Sequence, residues 1–264
     1  MYCIERGPVD DRRPVAVVAA LHGDEPCGAY AIADLLAADP TFRRRVTFVV
    51  ANERAMEAGG RYVDDDLNRA FPGDPHSRSH ERRLAARLRE ELADAEVLTF
   101  HSTDAEPTPF ALFQNPGETT DAVVRATGLE HAVDISYVDG GLEAVVDGVS
   151  VECGPMRSRA AAECARDILE RFLTARGAPP GDVDPVEPNV YRVDDVVDRG
   201  DLAFTGRNFQ RVASGEAFAV ETEGAEREIT AKSAFTPVLM ASDGYDDMLG
   251  FQATHLGTLT VLDG

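Results

Sequence analysis

The chain has 264 residues, of which 44% are apolar, and a formal net charge of −21 at neutral pH. This length suits one large domain or a domain with a small appendage. The negative charge makes nucleic acid and anionic membranes poor partners. The apolar runs are short and interrupted, and the N-terminus carries no signal-peptide pattern, so we predict no membrane span and expect a cytoplasmic protein.

The negative charge is spread along the whole chain, and Lys232 is the only lysine. A dispersed acidic surface with few lysines is typical of proteins from salt-rich cytoplasm, where salt screens the repulsion between carboxylates. An ordinary acidic enzyme is the alternative. The four cysteines show no CxxC spacing, so we predict free thiols rather than disulfides. Cys27 and Cys153 lie beside candidate site residues, which leaves a ligand or redox role open.

Short apolar runs alternate with amphipathic stretches along the first two thirds of the chain, which predicts an α/β sheet with crossover helices. The predicted strands lie at 15–21, 46–51, 95–101, 110–114, 132–138 and 149–152. The predicted helices lie at 27–38, 79–93, 122–126 and 158–175, and a loop rich in Gly and Asp covers 59–73.

A linker rich in Pro and Gly at 178–182 ends this part of the chain. Beyond it, short runs at 191–197, 217–221 and 238–240 alternate with Gly and Asp turns, which predicts a small β domain. We therefore predict an α/β domain over residues 1–180 and a C-terminal β domain over residues 181–264.

The first apolar run ends abruptly in His22-Gly23-Asp24-Glu25. A buried strand of an α/β sheet delivers polar residues to a crevice at its carboxyl end. His22 and Glu25 are three residues apart, so a helical turn at Gly23 would point both side chains at one cation. A lone pair of this kind arises often by chance, and the metal hypothesis depends on residues further along the chain.

Two later strands also end in polar residues, His101 and Glu152. Because strand ends of an open sheet line one edge, these residues are expected beside His22 and Glu25. Two histidines and one glutamate with an open fourth position form a catalytic zinc set. Glu152 is then left as a carboxylate that can take a proton from a zinc-bound water and hand it to a leaving amine. The alternatives are a satisfied core histidine at His101 and a salt-bridged carboxylate at Glu152.

Four segments carry these residues and their polar neighbours: His22-Gly23-Asp24-Glu25, Arg61-Tyr62-Val63-Asp64-Asp65-Asp66-Leu67-Asn68-Arg69, Phe100-His101-Ser102-Thr103 and Val151-Glu152-Cys153-Gly154-Pro155. In this order they resemble the motifs of the succinylglutamate desuccinylase/aspartoacylase family, relatives of the zinc carboxypeptidases. The likeness covers nearly the whole chain, including Thr236-Pro237-Val238 in the tail. It implies a zinc-carboxypeptidase-like mixed sheet flanked by helices, with a small C-terminal β domain.

The resemblance also implies roles for residues of the first part of the chain. His22, Glu25 and His101 match the ligands of one zinc ion. Glu152 matches the general base and acid that activates water for attack on an amide carbonyl. Arg61 matches an arginine that polarises this carbonyl, a role that suits a fixed guanidinium beside a metal.

Three further residues match substrate-binding positions of the family. Asn68 and Arg69 match the pair that holds the α-carboxylate of the substrate, which suits an arginine fork with an amide donor next to it. Tyr245 matches a tyrosine that reaches in from the β domain. Without the resemblance, Arg61 and Arg69 would be interpreted as solvated loop residues and Tyr245 as an interface residue.

One segment departs from the family pattern. Aspartoacylases carry an arginine ahead of the catalytic glutamate, which helps to hold the side-chain carboxylate of the substrate. Here the segment reads Gly140-Gly141-Leu142-Glu143-Ala144, and no Arg or Lys lies between Ala126 and Met156. A second substrate carboxylate would meet Leu142, Glu143 and Asp139. We therefore expect neutral or apolar N-acyl amino acids to be cleaved faster than N-acetylaspartate or N-succinylglutamate.

The expected activity is that of a zinc-dependent amidohydrolase. It would release an amino acid or similar amine from an N-acyl amino acid or another small amide that carries a carboxylate. A metallocarboxypeptidase or an esterase with the same site is the alternative among enzymes. A catalytically silent zinc-containing binding protein is the alternative of another class, against which the intact Glu152 and Arg61 argue. A homo-oligomer is left open.

Overall fold

The computed structural model describes residues 1–184, 186–223, 227–245 and 247–259. Its strands are β1 (Tyr2–Arg6), β2 (Val15–Ala19), β3 (Val46–Val50), β4 (Glu96–His101), β5 (Phe110–Phe113), β6 (His131–Asp134), β7 (Gly148–Glu152), β8 (Asn189–Asp198), β9 (Leu202–Phe204), β10 (Ala217–Glu221), β11 (Glu228–Thr230), β12 (Thr236–Val238) and β13 (Met248–Thr258). Its helices are α1 (Cys27–Ala37), α2 (Glu53–Ala58), α3 (His80–Leu92), α4 (Glu118–Thr127) and α5 (Arg159–Ala175). Within these residues, the helices are all too short or too polar to cross a membrane.

Ten of the strands form one mixed sheet in the order β1-β3-β2-β4-β7-β5-β6-β8-β13-β12. The strands β3, β2, β4 and β7 run parallel to one another, whereas β5 is antiparallel to β7 and β1 is antiparallel to β3. The carboxyl ends of β2, β4 and β7 therefore lie at the same edge of the sheet. This mixed sheet flanked by helices confirms the predicted fold class.

The apolar run of β2 is continuous because helices cover both faces of the sheet. Val15, Val17 and Ala19 belong to a core cluster that includes residues of α1, α4 and α5. Ala16 and Val18 alternate with them and belong to a second cluster, which includes residues of α3. All of β2 is fully buried. A strand that is buried on both faces requires apolar residues at every position, as the sequence provides.

The C-terminal strands belong to two sheets. The strand β8 pairs in parallel with β6, and β13 pairs antiparallel with β8, so the main sheet continues beyond residue 180. The strands β9, β10 and β11 form a separate sheet of three strands. The division into domains at 1–180 and 181–264 stays a prediction.

Some elements differ from the sequence expectation. The helix expected at 122–126 extends from Glu118 to Thr127, and the strand expected at 238–240 lies at 236–238. The sequence pattern did not predict β1. All of its residues are exposed, so it has no buried face that would produce an apolar pattern. The four cysteines are free thiols, as predicted.

Candidate active site

The turn after β2 brings His22 and Glu25 together. The backbone N–H of Glu25 donates to the carbonyl of His22 at 3.2 Å, and His22 Nδ1 lies 2.9 Å from Glu25 Oε1. Gly23 is needed in this turn, because a Cβ there would lie 2.2 Å from backbone atoms of Ala55 and Met56. The two side chains therefore face one another as the spacing of three residues predicts.

His101, the last residue of β4, reaches the same point from the neighbouring strand. Its Nδ1 lies 2.8 Å from Glu25 Oε2, and the Ser102 N–H donates to that oxygen at 3.2 Å. His22, Glu25 and His101 are all buried, and their ligand atoms lie within 4.8 Å of one another. Two imidazoles and a carboxylate that converge in a buried position fit a divalent cation such as zinc by the chemistry of the donor set.

The charges of this cluster support one another. Burial lowers the pKa of His22, but the Glu25 carboxylate and Asp66 outweigh it and raise the pKa to about 8. Burial alone would raise the pKa of Glu25, yet the two imidazoles hold it well below its ordinary value. The pKa of His101 is also raised, because Glu25 outweighs the effect of its burial. The carboxylate and the two imidazoles thus favour one another's charged forms at the place where a cation would compensate the carboxylate.

Asp66 is a site residue that the sequence reasoning did not single out, although it lies inside the second motif. Its Oδ1 lies 3.2 Å from His22 Nε2 and accepts from the Asn68 N–H at 2.8 Å. Its Oδ2 accepts from Arg61 Nε at 3.2 Å. Burial would raise the pKa of Asp66, but its contacts with His22 and Arg61 lower it far below the ordinary value. A carboxylate on the second ring nitrogen fixes the orientation of a metal-binding histidine.

Arg61 lies directly beside the histidine and glutamate cluster. Its Nη1 donates to Glu25 Oε1 at 2.8 Å, while Asp66 holds its Nε. None of the described residues accepts a hydrogen bond from Nη2 of Arg61, so this nitrogen is available to a ligand.

A buried carboxylate, Glu81 at the start of α3, holds the loop that carries these residues. Glu81 is fully buried, and its Oε1 accepts from the Val63 N–H at 2.7 Å and from Asn52 Nδ2 at 3.0 Å. Its Oε2 accepts from the N–H groups of Asp64 and Asp65 at 3.0 and 3.1 Å. The sequence alone placed Glu81 on a charged helix, and its partners lie on segments distant in sequence.

Glu152 ends β7 directly beside His101, with which it is paired in the sheet. Its Oε2 is buried and has no hydrogen-bond partner among the described residues. Burial raises the pKa of Glu152 to about 8, with a further contribution from the Glu25 charge and an opposing one from His101. A buried carboxyl group with a raised pKa beside a candidate metal site is typical of a catalytic acid and base.

The predicted substrate residues line the same cavity, whose volume is about 660 Å³. The Oδ1 atom of Asn68 is buried without a described partner. Arg69 lines the cavity from an exposed position. Tyr245 also lines the cavity, and burial, together with the Glu152 charge, raises the pKa of its hydroxyl group. The Tyr245 hydroxyl therefore stays protonated and can donate a hydrogen bond.

The segment without an arginine presents only one of the three expected residues, Glu143, to the cavity. Leu142 is fully buried in the core cluster on the α3 face and does not line the cavity. Asp139 also lies outside the lining, whereas Glu143 is part of it. The expectation that a second substrate carboxylate meets Leu142 and Asp139 is therefore wrong, and of the three residues only Glu143 is placed to repel it.

Comparison with known proteins gives one family match and several relatives. The model of the succinylglutamate desuccinylase/aspartoacylase catalytic domain matches residues 11–169. The succinylglutamate desuccinylase of Shewanella frigidimarina is 24% identical over 259 residues, which cover 81% of this chain and 75% of that protein. The succinylglutamate desuccinylase of Burkholderia orbicola is 42% identical, but over only 66 residues, which cover 24% of this chain and 19% of that protein.

Solved structures share the fold of this chain over nearly its full length. The product-bound ectoine utilization protein EutE (DoeB) of Ruegeria pomeroyi has a TM-score of 0.75 at 22% identity, covering 98% of this chain and 88% of that one. A succinylglutamate desuccinylase/aspartoacylase of Rhodobacter sphaeroides has a TM-score of 0.72 at 19% identity, covering 98% and 87%. Murine aminoacylase 3 has a TM-score of 0.67 at 20% identity, covering 94% and 99%.

Proposed function

The chain belongs to the succinylglutamate desuccinylase/aspartoacylase family, and from this premise we propose that it is a zinc-dependent amidohydrolase. Its substrate is an N-acyl amino acid or a similar small amide that carries a carboxylate. The observation that carries the proposal is the convergence of His22, Glu25 and His101 beside Glu152 in one cavity. A catalytically silent zinc-binding protein would need the three metal ligands, but it would not need a carboxyl group with a raised pKa next to them.

His22, Glu25 and His101 would hold the zinc ion, with Asp66 fixing the His22 ring. Zinc bound there supplies Lewis acidity, which polarises a carbonyl and lowers the pKa of water from about 15.7 to about 7. The remaining tasks fall to the side chains of this chain.

Glu152 is proposed to move the proton. It accepts the proton of the attacking water as the water oxygen bonds to the amide carbon, and it donates this proton to the leaving nitrogen as the C–N bond breaks. The products are the carboxylic acid of the acyl group and the free amine of the amino acid. The unpartnered Oε2 of Glu152 is consistent with a group that exchanges its proton with a ligand.

Three residues are proposed to hold the substrate and stabilise charge. Arg61, held by Asp66, directs its free Nη2 to the carbonyl oxygen, on which negative charge develops. Arg69 and the Nδ2 group of Asn68, both of which line the cavity, donate to the carboxylate next to the scissile amide. Tyr245 adds a hydroxyl donor from the C-terminal part of the chain.

The test compares amine release by the zinc-loaded protein and its Glu152→Gln variant. The substrates are N-acetylated Ala, Leu, Phe, Asp and Glu, with a dipeptide and an ester for the two enzymatic alternatives. Glu152→Gln should retain zinc and lose about 10²- to 10⁴-fold in kcat. The matched control is Glu163→Gln on the exposed surface of α5, where Glu163 pairs with Arg159.

Three outcomes would contradict the proposal. Faster cleavage of the dipeptide or the ester would favour the metallocarboxypeptidase or esterase alternative. No turnover of any substrate by a protein with bound zinc would favour the silent binding protein. A Glu152→Gln variant with normal kcat and raised KM would make Glu152 a binding residue.

A further inference from the structure

Glu143 is a buried carboxylate in the cavity wall to which the proposed reaction gives no role. It lies on a short 3₁₀ turn, Leu142–Ala144, and is only 3% exposed. Its Oε1 accepts a hydrogen bond from the Ser150 hydroxyl, which is also 3% exposed. No described residue donates a hydrogen bond to Oε2. Gly141 leaves room beside this oxygen, since a Cβ there would lie 3.1 Å from it.

The turn that carries Glu143 is fixed in position. Gln114 Nε2 donates to the carbonyls of Val138 and Gly140 at 3.0 and 3.1 Å, and Asn115 Nδ2 donates to the carbonyl of Glu143 at 3.3 Å. The carboxylate is therefore held in the wall by its own segment, as a preorganised binding group requires.

Glu143 has no cationic partner among the described residues. Two other carboxylates at the centre of the site, Glu25 and Asp66, are compensated by contacts with Arg61 and His22, whereas Glu152 is proposed to exchange its proton with the ligand. The cationic side chains in the lining are His22, His101, Arg61 and Arg69. A carboxylate buried against a neutral hydroxyl lacks the counter-charge that buried ions normally have. An ammonium group of the ligand would supply it.

The strand β7 relates the position of Glu143 to that of Glu152. Ser150, which holds Glu143, is two residues before Glu152, so both side chains lie on one face of the sheet, about 7 Å apart along the strand. The Gly141 N–H donates to the carbonyl of Asn68 at 2.7 Å. Glu143 thus lies toward the residue proposed to bind the substrate carboxylate, on the amino-acid side of the scissile amide.

The wall beside this carboxylate is apolar. Leu112 is paired with Ser150 across β5 and β7, and Ile135 and Val138 line the same cavity. Such a wall packs against the methylene groups of a side chain whose charged end reaches a carboxylate. The spacing of about 7 Å between Ser150 and Glu152 along the strand is comparable to the length of a side chain with about two to four methylenes and a terminal nitrogen.

We propose that Glu143, oriented by Ser150, is a specificity-determining residue that selects N-acyl amino acids whose side chain ends in an ammonium group. This inference rests on the proposed function and refines it. It predicts that kcat/KM is highest for cationic substrates, lower for the neutral and apolar substrates that the sequence favoured, and lowest for acidic substrates.

The test compares pairs of substrates that differ in the terminal charge. Nα-acetylornithine and Nα-acetyllysine are compared with Nα-acetylnorvaline, Nα-acetylnorleucine and Nα-acetylglutamate at one salt concentration. The wild-type protein should favour the cationic members by about 10- to 100-fold in kcat/KM, the range expected for a hydrogen bond between charged groups. Glu143→Gln keeps the size of the side chain and should abolish this ratio. Asp147→Asn is the matched control, since it removes a carboxylate of the same segment that pairs with Arg13 outside the cavity lining.

Binding provides a readout that is independent of turnover. Calorimetry with the Glu152→Gln protein should show that free ornithine binds about tenfold or more tightly than norvaline, and that adding Glu143→Gln removes the difference. Equal turnover of the cationic and neutral substrates by the wild-type protein, or a preference that persists in Glu143→Gln, would overturn the inference and leave the proposed function intact. If no substrate is turned over but ornithine still binds more tightly than norvaline in a way that depends on Glu143, the proposed function is refuted and the ammonium site at Glu143 is supported.

Discussion

Replacing Glu81 by Gln should disturb the loop that supplies Arg61, Asp66, Asn68 and Arg69. The two carboxylate oxygens of Glu81 accept four hydrogen bonds, three of them from consecutive backbone N–H groups. A glutamine replaces one carboxylate oxygen by an NH₂ group. The two N–H donors that pointed at this oxygen then face another donor. Whichever way the amide is oriented, two hydrogen bonds are lost.

The expected magnitude follows from the number and type of these bonds. Hydrogen bonds to a charged group contribute about 1.5–3 kcal/mol each, so the loss of two lowers the free energy of unfolding by about 3–6 kcal/mol. This loss is a large share of the free energy of unfolding of a typical domain, which is about 5–15 kcal/mol. The released loop would also move Arg61 and Arg69, and a displacement of about 1 Å at a reacting site can lower the rate by about 10².

The assay combines urea unfolding with kinetics measured well below the unfolding transition. Glu81→Gln should show the loss of stability and, within its folded fraction, a raised KM and a lowered kcat. Glu90→Gln, an exposed residue of the same helix, is the control. A variant whose folded fraction has normal kcat and KM would restrict Glu81 to a structural role, and unchanged stability would refute the reasoning on its hydrogen bonds.

The acid side of the pH profile gives a second readout for Glu81. Burial raises its pKa, but the hydrogen bonds from Val63, Asn52, Asp64 and Asp65 outweigh this and hold the pKa below 4.5. Its contribution to stability is therefore fully present above pH 4.5 and is lost as the pH falls through the lowered value. Glu81→Gln should flatten this part of the profile relative to Glu90→Gln.

Three further predictions concern the metal and the surface charge. Elemental analysis should give about one zinc per chain, and a chelator should remove both the zinc and the activity. A His22→Ala, His101→Ala double variant that kept stoichiometric zinc would contradict the ligand assignment. Because zinc binds the neutral imidazole and the pKa of His22 is raised to about 8, the apparent zinc affinity should rise about tenfold or more per pH unit below pH 8 and level off above it. A chelator competition that gives the same affinity across this range would refute it. The Tm should rise with KCl well beyond physiological strength, because the Debye length falls from about 30 Å at 0.01 M to about 3 Å at 1 M and the charge of −21 is increasingly screened; a flat profile would exclude a halophilic surface.

The parts of the fold and site that could be predicted are those that depend on local pattern. The apolar run of β2 reflects burial on both faces, and the polar residues after β2, β4 and β7 meet because parallel strands end at one edge. His22, His101 and Glu152 could be brought together by this argument alone. Arg61, Asn68, Arg69 and Tyr245 could not, since loop positions carry no periodic signal; only the family resemblance pointed to them.

The parts that could not be predicted depend on contacts between distant segments. The pairing of β8 with β6 joins C-terminal strands to the main sheet, and no local pattern records it. Asp66 and Glu81 act through partners that only the folded loop brings near them. Both Leu142 and Glu143 were expected at the cavity; that only Glu143 lines it depends on the direction of a single 3₁₀ turn, which hydrophobic spacing does not determine.

Anomalous diffraction at the zinc edge would show directly whether His22, Glu25 and His101 hold a catalytic zinc ion. We expect one peak per chain in crystals of the zinc-loaded protein, about 2.0–2.2 Å from Nδ1 of both histidines and from a carboxylate oxygen of Glu25. A map without a peak at this position, or with its zinc peak bound by other residues, would contradict it.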